Sequence, residues 1–166
     1  MIARAAADGC TTEVSTILHR PQDPNCLSHD GMSPLGMAAC CGHIEVAQLL
    51  LEAEAWINEI DHDGNTPLTC AAYRGHNDMV HLLLQAGSPT NTTNIHGDTA
   101  LSRASARGYT DLSNVHGETA LIRAAKRGHL QVVRSLLAAG ADREVAMQAS
   151  KPPKLPKAGP SWHSSG

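Results

Sequence analysis

Gly64-Asn65-Thr66-Pro67-Leu68-Thr69-Cys70-Ala71-Ala72-Tyr73-Arg74-Gly75-His76 echoes Gly31-Met32-Ser33-Pro34-Leu35-Gly36-Met37-Ala38-Ala39-Cys40-Cys41-Gly42-His43, one 33-residue period earlier. Its opening returns at Gly97-Asp98-Thr99-Ala100-Leu101 after another such period, and at Gly117-Glu118-Thr119-Ala120-Leu121 after only part of one. Each fixed position has a physical meaning. Ser33 and Thr66 cap a helix, and Pro34 and Pro67 take its first position, where a missing N–H costs little. The pairs Ala38-Ala39, Ala71-Ala72 and Ala124-Ala125 let neighbouring helices approach closely. Gly42, Gly75, Gly108 and Gly128 end that helix where a left-handed residue is expected. A second helix follows, with apolar residues at helical spacing: Val46, Leu49, Leu50; Val80, Leu83, Leu84; Val132, Val133, Leu136, Leu137. Gly87 and Gly140 stop it, and Glu54 stands at the same place in the earlier unit, where it fits less comfortably.

A 33-residue period with this wording resembles the ankyrin repeat, and the resemblance covers roughly residues 3–145. It implies an all-α ankyrin-repeat solenoid of helix-turn-helix units joined by β-turn or hairpin loops. The expected division is 1–29, 30–60, 61–93, a truncated 94–113 and 114–145, all within one repeat domain spanning 1–145. The first unit is a worn copy. Ala5-Ala6-Ala7-Asp8-Gly9 keeps the end of the phrase and Val14, Ile17 and Leu18 supply a second helix, but the Thr-Pro-Leu turn is missing. End repeats are often atypical because one face meets solvent.

Unit four breaks the pattern. Less than two-thirds of a period separates Gly97 from Gly117, so the second helix and its loop are absent. Its first helix, Thr99 to Arg107, is about 14 Å long. Residues Gly108 to Val115 reach up to about 26 Å when extended, enough to carry the chain back. The apolar faces of Leu83-Leu84 and Leu136-Leu137 lose the partner between them, at a cost on the order of 5–10 kcal/mol. Repeat five is therefore expected to couple loosely or to shift onto repeat three. Residues 146–166 change character: Lys151-Pro152-Pro153-Lys154-Leu155-Pro156-Lys157 opens a basic, Pro-rich tail expected to be disordered. Pro153 and Pro156 match a polyproline ligand spacing, but the flanking basic residues fit it poorly.

Composition narrows the function. The chain has 166 residues, two Trp, two Tyr and no Phe, so its core must be built from Leu, Ala, Val and Met. A net charge of −3 points to neither nucleic acid nor membrane, and no run of eighteen apolar residues is present. Met1-Ile2-Ala3-Arg4 does not open an apolar signal segment. The five cysteines are odd in number and lack a Cys-x-x-Cys pair, which reads as reduced thiols in the cytoplasm or nucleus.

Catalytic and metal readings find little support. His43, His76 and His129 follow the repeat glycine and are expected to brace the loop between the two helices. His29, His62, His96 and His116 fall in successive turns about 10 Å apart, too far for shared zinc ligation; a pH-sensitive partner contact is the other reading. Asp61-His62-Asp63-Gly64-Asn65 has neither the length nor the late glutamate of a calcium loop and reads as a tight turn. Cys40-Cys41 lacks a local base and reads as inert. No nucleophile–base pair, P-loop or dinucleotide loop stands apart from the repeat, so no enzyme, cofactor, metal or small-molecule substrate is expected.

What the resemblance does imply is binding of protein partners by turn tips and the groove side of the first helices. The turn residues are His29, Asp30, Met32; His62, Asp63, Asn65; Ile95, His96, Asp98; and His116 and Glu118. The groove residues are Cys40, Cys41, Tyr73, Arg74, Arg107, Lys126 and Arg127. Arg74, Arg107, Lys126 and Arg127 would form a basic ridge beside acidic tips, read either as charges that only keep the stack soluble or as partners for carboxylates or phosphate on an extended segment, and Tyr73 would anchor that partner. The expected function is that of a monomeric, non-catalytic adaptor or scaffold. A dedicated inhibitor or regulatory subunit of one enzyme or transcription factor, and a poorly folded truncated isoform, are the alternatives.

Overall fold

The computed structural model describes residues 1–19, 23–106 and 130–142, and among them every regular element is a helix. In chain order these are α1 (Ile2–Ala7), α2 (Thr11–Leu18), α3 (Pro34–Cys41), α4 (Ile44–Glu52), α5 (Pro67–Arg74), α6 (Asn77–Gln85), α7 (Ala100–Ala106) and α8 (Leu130–Ala138). They stack in two layers. First helices α1, α3, α5 and α7 pack successively in one layer, and α2, α4, α6 and α8 in the other. Each first helix pairs with the second helix beside it: α1 with α2, α3 with α4, α5 with α6, and α7 with α8.

The caps form as the phrase dictates. Ser33 Oγ accepts the Gly36 N–H at 3.0 Å and Thr66 Oγ1 accepts that of Thr69 at 3.2 Å. Thr99 and Ser102 cap reciprocally, each side-chain oxygen accepting the other's backbone N–H. Pro34 and Pro67 open their helices, and Gly42 and Gly75 close them in the left-handed region at φ 81° and 78°. Gly108 and Gly128, expected to do the same, lie outside the described residues. Glu54 has φ 63° and is, among the described residues, the one non-glycine with positive φ.

A single apolar cluster runs through the stack. Its fully buried large members include Leu35, Leu50, Leu68, Met79, Leu83 and Leu136, and alanines such as Ala38, Ala39, Ala71 and Ala72 fill the close contacts between first helices. Small residues here are the condition for dense packing, because aromatic bulk would hold the layers apart.

Two findings differ from the expectations above. The rings of His43 and His76 brace adjacent units rather than the loop within one. His43 Nε2–H donates to the Ala7 carbonyl at 3.0 Å, and His76 Nε2–H donates to that of Cys40 at 3.1 Å. Each ring lies over the preceding unit's glycine, Gly9 or Gly42, where a Cβ would collide at 2.7–2.8 Å. The other concerns α8: it packs against α6, as the expected shift onto repeat three implies, but it packs against α7 as well and thus takes the second-helix place beside α7. Val132, Val133 and Leu136 are 0–1% exposed there. Burying three such side chains is worth roughly 1.5–3 kcal/mol each, which explains why α8 covers the face that unit four leaves open.

Candidate partner-binding surface

The turns between units are built by one repeated device at Ser28, Asp61 and Asn94. Ser28 Oγ accepts the Met32 N–H; Asp61 Oδ1 accepts those of Asp63 and Asn65; Asn94 Oδ1 accepts those of His96 and Asp98. The short polar side chain thereby replaces a missing backbone partner and fixes the turn. Adjacent turns are tied together by Asn94 Nδ2, which donates to Asn65 Oδ1 at 2.9 Å, and by Ile95 N–H, which donates to the Asp63 carbonyl.

This construction sorts the turn residues. His29, Asp30, His62, Asp63, Ile95 and His96 are exposed along one edge, and Met32 and Asp98 are half-buried. Asn65 is buried, and both ends of its amide are consumed within the stack, by Asp61, Asn94 and Arg103. It holds the edge in shape rather than presenting itself to a ligand. The Asp61 carboxylate is likewise occupied by backbone N–H groups and by Asn65. Among the described residues no three His, Cys, Asp or Glu side chains gather to hold a metal.

Sequence reasoning missed two apolar residues of this edge, Leu27 and Ile60. Each is 51% exposed, and they join Ile95, which is 68% exposed. Leu27 and Ile60 are one 33-residue period apart, so the signal was present in the register once the turns were aligned. Trp56, 59% exposed, lies in the loop after α4.

On the groove side, Cys41 and Arg74 are exposed, while Cys40 and Tyr73 are half-buried. Cys40, Cys41, Arg74, Ala7, His43 and His76 line an open hollow of about 520 Å³. Cys40 beside the Arg74 guanidinium favours its charged form and holds its pKa above the ordinary value. Burial, helped by neighbouring Cys40, pushes the Cys41 thiol up despite Arg74, the opposite of the shift that activates a thiol. All five cysteines are free. Tyr73 is covered on one face by Arg103, whose Cζ sits 4.5 Å from the ring centroid. Arg103 carries no special mark in the sequence: it stands at the period position of Cys70 and Met37.

Of the expected basic ridge, Arg74 falls among the described residues; Arg107, Lys126 and Arg127, like the turn residues His116 and Glu118, lie outside them. The described residues carry thirteen acidic side chains against four basic ones, so the surface they form is acidic. No described helix is long and apolar enough to cross a membrane.

A family profile described as ankyrin repeats, in three copies, matches residues 2–94 and 57–115, and an ankyrin repeat profile matches 116–147. The chain belongs to the ankyrin repeat family. No curated protein matches it. Ankyrin repeats are generally protein–protein interaction modules and typically non-catalytic.

Proposed function

We propose that the chain is a non-catalytic adaptor that holds an extended segment of a partner protein along its turn edge and the adjoining groove. The observation that carries this reading is the regular exposure of Leu27, His29 and Asp30, then Ile60, His62 and Asp63, then Ile95 and His96. Each set pairs an apolar contact with polar or acidic neighbours, and the hydrogen-bonded turns beneath hold the sets in place before a partner arrives. Little ordering entropy is then lost on binding. A segment with apolar residues spaced between basic ones suits this edge better than an acidic one, because the surrounding described surface is acidic. Free cysteines support placing the adaptor in a reducing compartment such as cytoplasm or nucleus.

The test is a lysate pull-down with the whole chain beside an Ile60→Ser/Ile95→Ser variant and an Arg74→Glu variant. Loss of partners from the first, with helical signal unchanged, supports the turn edge. Partners retained by the first and lost from the second would overturn it in favour of the basic groove.

A further inference from the structure

Among the described residues, two loops that follow second helices receive a side-chain cap of the same geometry. The Trp56 N–H, just after α4, donates to Asn25 Oδ1 at 2.7 Å, across 31 residues. The Asp142 N–H, just after α8, donates to Asn91 Oδ1 at 2.8 Å, across 51 residues. Asn25, Asn58 and Asn91 follow one another at the 33-residue period, at the same remove before Gly31, Gly64 and Gly97. In the unit between them the position corresponding to Trp56 is Pro89, which has no N–H to give. So the asparagine that precedes a unit binds the backbone that ends the same unit. Asn91, which precedes α7, finds that end late, beyond α8.

Other contacts agree. The loop after α8 closes as it does after α4 and α6: Ala141 N–H donates to the Leu136 carbonyl, as Ala55 does to Leu50 and Ser88 to Leu83. Across the second layer, Ser135 Oγ and His81 Nε2 are 2.9 Å apart, joining α8 directly to α6.

We infer that α7 and α8 form one composite repeat unit, with Gly108 to Arg127 between them an insertion into an otherwise ordinary repeat. Among the described residues the helices pair into four units, and α8, which follows the Gly117 phrase in sequence, belongs to the Gly97 phrase in space. Removing Gly108 to Arg127 would leave Gly97-Asp98-Thr99-Ala100-Leu101 through Arg107 joined to Gly128-His129-Leu130, a unit of ordinary length. This rests on the adaptor reading for one consequence: among the described residues, the partner-facing row ends with Ile95, His96 and Asp98.

Amide hydrogen exchange of the whole chain, read by mass spectrometry, decides the matter without any partner. Leu121→Asp places a charge at the insertion's counterpart of Leu101, and Leu136→Asp places one in the observed core. The expected result is wild-type exchange in Ala100–Ala106 and Leu130–Ala138 for Leu121→Asp, within about twofold, and at least tenfold faster exchange in Leu130–Ala138 for Leu136→Asp. Faster exchange of α8 in Leu121→Asp, to the level of Leu136→Asp, would overturn the composite unit. As a second arm, the chain lacking Gly108 to Arg127 is expected to keep α8 protected; loss of that protection would also overturn it. Neither result bears on whether Ile60 and Ile95 hold a partner.

Discussion

Arg103 lays its guanidinium over the ring of Tyr73, 4.5 Å from the centroid, and so joins α7 to α5 across the groove. The same group reaches Asn65 Oδ1 at 3.4 Å and Asp98 Oδ2 at 3.9 Å. One side chain thus links a first helix, the neighbouring first helix and a turn. Arg103→Ala is expected to lower stability by about 1–2 kcal/mol, from the lost cation–π contact and the half-buried ion pair. Arg103→Lys should recover only part of this, since an ammonium lacks the planar face and the fork of donors. Urea midpoints of the three chains measure it, and equal midpoints for wild type and alanine would refute the linkage.

Glu54 offers the opposite change, a gain. Its φ of 63° lies where Gly87 and Gly140 serve the later units at 93° and 87°. The side chain is exposed, so its loss removes no packing. Glu54→Gly should stabilise the chain by about 0.5–1 kcal/mol through relief of left-handed strain, less the entropy a glycine adds to the unfolded chain. A thermal midpoint that falls on substitution would show the strain to be negligible.

Gly42 and His76 form a coupled pair between units. A Cβ on Gly42 would sit 2.8 Å from His76 Nδ1, and φ there is 81°. Gly42→Ala therefore suffers both a clash and backbone strain. His76→Ala loses the bond to the Cys40 carbonyl and leaves that acceptor half-buried, costing about 1–2 kcal/mol. In the double variant the clash disappears, while the backbone strain and the lost bond to the Cys40 carbonyl remain. The two single losses should exceed the double loss by more than about 0.5 kcal/mol in a double-mutant cycle. Simple additivity would mean that the ring does not press on Gly42.

Much of this architecture is written in single residues. Capping by Ser33 and Thr66, the proline starts, the left-handed Gly42 and Gly75, and the awkward Glu54 all follow from local backbone chemistry, which a sequence states directly. What escaped depends on distance across the stack. His43 and His76 are helix-start residues by position, and only the spacing of units shows that their rings reach back to Ala7 and Cys40. Asn65 shares the turn with exposed His62 and Asp63, yet cross-turn bonds to Asn94 and Arg103 bury it. The phrase ahead of α8 occurs twice, at Gly97 and at Gly117, and counting along the chain assigns the helix to the nearer copy. Its packing on α6 and α7 is a tertiary outcome, set by which apolar face lacked cover.

Cys70 supplies a pH dependence with a definite sign. Burial, reinforced by the neighbouring Cys40 and Asp61, pushes its thiol from 9.0 up to about 12. Between those values the unfolded chain loses this proton while the folded chain keeps it. The folded state then binds more protons, so stability must fall as pH rises. The contribution is complete below about pH 9 and is lost as pH climbs toward about 12. Urea midpoints taken from about pH 8 to about pH 10.5 should fall more steeply for the wild type than for Cys70→Ala, which has no thiol to titrate. At neutral pH the same burial should leave Cys70 unlabelled by a maleimide while the exposed Cys26 and Cys41 react. Parallel midpoint curves for the two chains, together with early labelling of Cys70, would place that thiol in solvent rather than between α5 and its neighbours.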